Sequence, residues 1–162
     1  MVRILLIGMN LLNWALAAGF GALLVLLFAA PATVAPTFAK FGSHAAMMVR
    51  AGAATLGIGL VSVVAAHMIL TRLTAMVDSV ATGRPFTLAN ADRLRTMAWA
   101  LLAFQLLDLA YGVLAIRMSA ATGRYFGWSP GIGGWLAVVL LLVLARVFRQ
   151  GAAMQDEVEA TV

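Results

Sequence analysis

Cysteine is absent from the 162-residue chain, and only six residues are acidic. Without a thiol there is no disulfide framework, no thiolate metal site and no cysteine nucleophile. Charge of either sign is scarce: Asp, Glu, Lys and Arg together make up 10% of the sequence, against about 25% in ordinary soluble domains. What is present is apolar, 64% of residues with a mean hydropathy of +1.01. A soluble globule of this size cannot cover so much apolar surface with so few charges. Disorder, a stapled secreted scaffold and a fibrous repeat are excluded on the same arithmetic. The class that remains is an all-α integral membrane protein of one domain.

A membrane-spanning helix needs about 20 mainly apolar residues. Four windows supply them: 4–30, 51–70, 96–116 and 132–148. The first is about twice as long as the 7–15-residue apolar core of a secretion signal, so it reads as an uncleaved anchor. Pro31 and Pro36 bracket the first connection as helix breakers. With Met1 on the inner side, that side holds Arg3, Arg72, Arg84, Arg93, Arg95, Arg146 and Arg149. The outer side then holds Lys40, Arg50, Arg117 and Arg124. Seven against four favours both termini inside. Trp99 near the inner boundary, and Tyr125, Trp128 and Trp135 near the outer one, suit an aromatic belt. The net charge of +5 is spread singly along the chain and therefore reads as topological, with no direct nucleic-acid binding. The expected architecture is an antiparallel up-down bundle of four helices, with possible self-association.

Beyond Leu70 the residues Leu73, Met76, Val77 and Val80 keep helical spacing while Arg72, Asp78 and Ser79 face elsewhere. The second helix therefore outruns the bilayer as an amphipathic cytoplasmic extension, with 71–95 forming extension and loop and 149–162 a tail. Asn90 reads as the cap of the third helix, with Asp92 in its first turn. The stretch Ser79-Val80-Ala81-Thr82-Gly83-Arg84-Pro85-Phe86 echoes Ser119-Ala120-Ala121-Thr122-Gly123-Arg124-Tyr125-Phe126. The flanking residues do not align, so both copies read as helix ends closed by a C′ glycine.

Inside the spans, spacings of three and four place Asn10, Asn13, Ala17 and Gly21 on one face of the first helix. The second carries Gly52, Thr55, Gly59, Ser62 and Ala66, and the third Ala98, Leu101, Gln105, Asp108, Gly112 and Ala115. At about 1.5 Å per residue, Asn13 and Gln105 lie at similar depth and are positioned to pair, with Ser62 nearby. Asp108 is the sharpest polar signal, because a carboxylate near the bilayer centre is unfavourable by roughly 2.5–3.5 kcal/mol on insertion scales. Its expected partners are Asn13, Thr55 or the Trp135 indole. It serves either as a proton or cation site or as a hydrogen-bonded packing residue. His67 sits near the inner end of the second helix, at the headgroup boundary or in a proton relay. The cluster Gly131-Ile132-Gly133-Gly134 reads as a flexible entry to the last helix. No carboxylate pair, metal-ligand cluster or nucleophile–base pattern is legible, so neither enzyme activity nor a cofactor or metal is expected.

The stretch Gly83-Arg84-Pro85-Phe86-Thr87 through Asn90-Ala91-Asp92-Arg93-Leu94-Arg95 resembles the signature loop of a bacterial membrane-protein family. So does the ending Val147-Phe148-Arg149-Gln150-Gly151-Ala152-Ala153-Met154-Gln155-Asp156-Glu157. The family is catalogued as domain of unknown function 2975 and consists of small proteins expected to cross the inner membrane four times. The tail Glu157-Val158-Glu159-Ala160 departs from the more strongly acidic or amide-rich run found in many members. The resemblance carries no established activity, and implies a cytoplasmic helix-turn-helix regulator, encoded beside many members, as a partner.

Two functions follow as expectations. In the first, Arg84, Phe86, Asn90, Arg93, Arg95, Asp156 and Glu157 form a cytoplasmic platform for a regulatory partner. Its basic loop and acidic tail would meet as a weak latch, exposed ion pairs contributing only about 0–1 kcal/mol each. In the second, Asn13, Ser62, Gln105 and Asp108 line a path for a proton or small solute.

Overall fold

The structure is a computed structural model that describes residues 1–81 and 86–159, with side chains described at 1–80 and 86–155. Among these residues every regular element is helical: α1 (Val2–Ala29), α2 (Pro31–Ala39), a 3-10 turn (Gly42–His44), α3 (Ala45–Ala81), α4 (Leu88–Thr122) and α5 (Ile132–Glu159). Four segments are long and apolar enough to cross a membrane: Val2–Ala29, Gly42–Val80, Leu88–Thr122 and Ile132–Gln155. They contain the four windows read from composition, apart from Ala30, but run further, because helical hydrogen bonding continues into segments too polar for hydrocarbon. The 37 residues of α3 extend about 55 Å, well beyond a hydrocarbon core of about 30 Å.

Two corrections concern helix ends. The first connection is itself helical: Pro31 opens α2 at a position where a missing N–H is harmless, and Pro36 is accommodated inside it. The third spanning helix starts at Leu88, two residues before Asn90. Its cap is Thr87, whose Oγ1 accepts the Asn90 backbone N–H at 3.2 Å. At the other end of α4 the expected C′ glycine is found, Gly123 with φ +66° and its N–H on the Ser119 carbonyl at 3.0 Å.

The pattern of exposure is that of a lipid-facing protein. Leu11, Leu12, Val139 and Leu140 are exposed, whereas eight of the sixteen buried apolar residues among those described are alanines. Small side chains let helix backbones approach closely where no water drives them together.

Contacts group the chain into two compact units. One comprises Met1–Leu12, Ala65–Gln105 and Gly131–Val162. Its core is Leu94, Met97 and Ala145, flanked by Ile69, Met76, Leu141 and Phe148. The other comprises Asn13–Val64 and Leu106–Pro130. Its core is Met48, Ala51 and Met118, against which α2 and the turn after it pack Phe38 and Phe41. Within this second unit the Phe20 ring lies on Gly59, where an added Cβ would stand 2.8 Å from it. That close approach requires glycine.

Candidate functional site

The first unit brings the two distinctive sequence stretches together. Its anchor is Asn90, in the first turn of α4, whose side chain is fully buried. Asn90 Nδ2 donates to Ser79 Oγ on α3 at 2.7 Å, and the Ser79 hydroxyl donates onward to the Met76 carbonyl at 2.7 Å. Asn90 Oδ1 accepts from the Arg93 guanidinium at 2.7 Å, and the same Arg93 nitrogen reaches the Ala75 carbonyl at 3.3 Å. This small network fixes the start of α4 against the last turns of α3. A carboxamide is suited to the position because it donates to one neighbour and accepts from another.

The end of α5 is fastened to the same place. The rings of Phe86 and Phe148 stand 5.0 Å apart at 49°, within the range of favourable aromatic pairs. Gly151 lies one turn beyond Phe148, where an added Cβ would approach the Phe86 ring to 3.2 Å. Arg149 pairs with Asp92 at 3.1 Å, both side chains being largely exposed. Nearby, Arg72, Ala89, Asp92, Arg93 and Thr96 line an open polar notch of about 260 Å³.

These contacts revise the expected platform. Asn90 is withdrawn from any contact surface, since its side chain has no exposure. Arg93 is half-buried and turned inward to Asn90 and Ala75. The observed ion pair has the opposite sense to the expected latch, with the acid (Asp92) on α4 and the base (Arg149) on α5. Phe86 and Arg95 remain exposed. Arg84 and the side chains of Asp156 and Glu157 lie outside the described residues.

Asn13, Ser62, Gln105, His67 and Asp108 each have a partner close by. Asn13 Nδ2 donates to the Val63 carbonyl at 2.9 Å, and Ser62 Oγ to the Ile58 carbonyl of its own helix at 2.8 Å. Gln105 Nε2 reaches the Gly131 carbonyl at 3.4 Å, so the Asn13 and Gln105 amides, expected to pair, are both engaged elsewhere. His67 Nδ1 meets Asn10 Oδ1 at 2.9 Å; with the carboxamide oxygen as acceptor, the imidazole donates. Asp108 does accept an indole N–H, but from Trp128 at 3.2 Å rather than from Trp135. The Trp128 ring lies directly over Gly112, one turn along α4 from Asp108, in space a Cβ would occupy. Gly134 has the same role toward the Gln105 carboxamide. The glycine cluster therefore provides a close approach within α5 in addition to a connection.

Sequence reading missed three features. Thr87 competes with Asn90 as a cap three residues away, and only burial distinguishes them. Trp128 reaches Asp108 through an irregular segment that carries no periodic signal. The Phe41 ring is approached by two cations, Lys40 Nζ and the Arg124 guanidinium, each 5.4 Å from its centre. It borders an open apolar groove of about 660 Å³ that includes Leu27, Phe38, Thr55 and Tyr111. Among the described residues, no group of three or more His, Asp or Glu side chains is arranged to hold a metal ion.

No curated protein and no solved structure matches the chain. A family described as "Protein of unknown function (DUF2975)" matches residues 26–162, from the end of α1 through the motifs that meet at Asn90 and Phe148. The chain is a multi-pass membrane-protein candidate of four spanning helices, and it belongs to the DUF2975 family.

Proposed function

We propose that this protein is a non-enzymatic binding module of the bacterial inner membrane, an up-down four-helix bundle with both termini in the cytoplasm. On this reading the end of α3, the start of α4 and the end of α5 form a cytoplasmic platform for a regulatory protein of the helix-turn-helix type. The supporting observation is the joint at Asn90. Together with the Phe86–Phe148 and Asp92–Arg149 contacts it fastens the two family-like stretches to each other, and the notch of Arg72, Ala89 and Asp92 beside it is open. Arg72 and Arg95 give that surface an excess of exposed positive charge, complementary to an acidic patch on a partner. Arg84, Asp156 and Glu157 complete the platform in sequence. Asp108 fits the packing role, because its carboxylate holds the Trp128 indole in place.

The test is co-purification from mild detergent with a helix-turn-helix regulator of the kind encoded beside many family members. Arg72→Glu and Ala89→Arg, both at the notch, are expected to reduce the recovered partner at least tenfold while leaving the bundle folded. Full recovery with both variants overturns the reading.

A further inference from the structure

The middle turns of α5 carry a stripe of which the platform uses only Arg149. Leu142, Ala145, Arg146, Arg149 and Gln150 follow the spacing i, i+3, i+4, i+7, i+8, which places all five on one helix face. On α4, Arg95 and Trp99 are four residues apart and share a face in the same way. The two faces together line an open groove of about 490 Å³. Its lining is graded, with Leu142 and Ala145 at one end, Trp99 beside them, and three guanidinium groups with the Gln150 carboxamide at the other.

Charge in the groove is unbalanced. Arg149 is held by Asp92 at 3.1 Å. Among the described residues, Arg95 and Arg146 have no carboxylate within ion-pair distance. Depth agrees with the grading. Counted from Ile132, the first residue of α5, Arg146 and Arg149 lie about 21 and 26 Å along the helix axis. With Ile132 at one edge of a hydrocarbon layer about 30 Å thick, the two lie about 9 and 4 Å short of the other edge, within reach of it for a long arginine side chain. Trp99 is exposed, at the level where indoles favour the boundary between hydrocarbon and water.

We propose that this groove is a binding site for one anionic glycerophospholipid of the surrounding leaflet. Arg95 and Arg146 hold the phosphate by charge-assisted hydrogen bonds. Asp92 positions Arg149 at the rim as a third donor, and Gln150 hydrogen-bonds the polar part of the headgroup. The Trp99 ring covers the glycerol-ester region, and an acyl chain runs along Ala145 and Leu142. Both ends of the groove are needed. A soluble phosphate ester would leave the apolar end open, and a neutral lipid would leave two guanidinium groups without a counter-charge at a membrane edge.

The purified full-length protein is exchanged into nanodiscs holding equal amounts of phosphatidylglycerol and phosphatidylcholine, and lipid retained per chain is counted by native mass spectrometry. The wild type is expected to retain phosphatidylglycerol in preference, and Arg95→Gln/Arg146→Gln to lower that retention roughly 30-fold. Arg50→Gln/Arg117→Gln removes the same charge elsewhere and is expected to leave retention unchanged. An equal fall in that control, no fall in the groove variant, or equal retention of the two lipids by the wild type overturns the proposal. Displacement of the lipid by millimolar glycerol phosphate alone overturns it too, since the occupant would then be a soluble phosphate ester. Circular dichroism of each variant confirms helix content, and Leu142→Asn, which spares every charge, is expected to weaken retention severalfold by disturbing the acyl slot.

Discussion

Replacing Asn90 with alanine removes a carboxamide that is fully buried and connects α3 with α4. The interactions that disappear include the bond to Ser79 Oγ at 2.7 Å and the bond from Arg93 at 2.7 Å. A neutral hydrogen bond contributes about 0.5–1.5 kcal/mol, and one to a charged group about 1.5–3 kcal/mol. The simple sum is therefore about 2–4.5 kcal/mol. It is reduced because neither neighbour is orphaned: Ser79 keeps the Met76 carbonyl and Arg93 keeps the Ala75 carbonyl. It is raised by the small cavity that alanine leaves. A destabilisation of about 2–4 kcal/mol is expected, or a fall in midpoint of roughly 5–15 °C for a chain of this length. Because heating of membrane proteins is commonly irreversible, the better assay is unfolding by denaturing detergent in mixed micelles, followed by circular dichroism. A double-mutant cycle with Arg93→Ala isolates the shared interaction and should give a coupling of about 1.5–3 kcal/mol. If Asn90→Ala unfolds within about 0.5 kcal/mol of the wild type, or if the two substitutions are additive, the network does not hold α3 to α4 in the way argued from its geometry.

Two further outcomes follow from close approaches to glycine. Gly112→Val drives a side chain into the Trp128 ring and should detach the indole from Asp108. The expected signature is a red-shifted tryptophan emission with a loss of about 1–3 kcal/mol, whereas Asp108→Asn, which keeps an acceptor for the indole, should cost less than about 1 kcal/mol. Gly134→Val collides with the Gln105 carboxamide and should destabilise by a similar 1–3 kcal/mol. Adding Gln105→Ala in the same unfolding assay should restore most of that loss.

How much of this was legible in the sequence depended on which physical signal each feature carries. The four spans follow from hydropathy alone, because no other arrangement accommodates runs such as Leu136 to Leu144. The continuation of α3 to Ala81 followed from the spacing of Leu73, Met76, Val77 and Val80, which outlasts the apolar run. Helix α2 was not legible, since proline is read as a breaker and only the structure shows Pro31 in the first helical position, where it fits. The partners of polar side chains were the least legible. Depth along a helix is a one-dimensional count, and it placed Asn13 level with Gln105. Each amide bonds a backbone carbonyl of its own unit, Val63 for Asn13 and Gly131 for Gln105. The same count offered Asp108 an indole only as one of three partners, with Asn13 and Thr55, and could not follow residues 123–131 to show that Trp128 is the indole that arrives.

That difference has a cause in the solvent. In water, an apolar face identifies the side of a helix that packs, so patterning predicts contacts. In a bilayer, Leu140 facing lipid and Leu141 facing Ala145 are nearly equivalent chemically, and the apolar pattern carries little information about which face is inside. The choice falls to the few residues for which lipid and protein are not equivalent. These are amides and hydroxyls that need a partner, and glycines that admit a ring or a carboxamide where another residue would exclude it. Asn90, Asp108, Gly59, Gly112 and Gly134 are such positions, and each is matched to specific neighbours by geometry that allows little variation. Substitutions there should therefore alter stability far more than exchanges among the exposed leucines, which leave both the lipid contact and the helix unchanged.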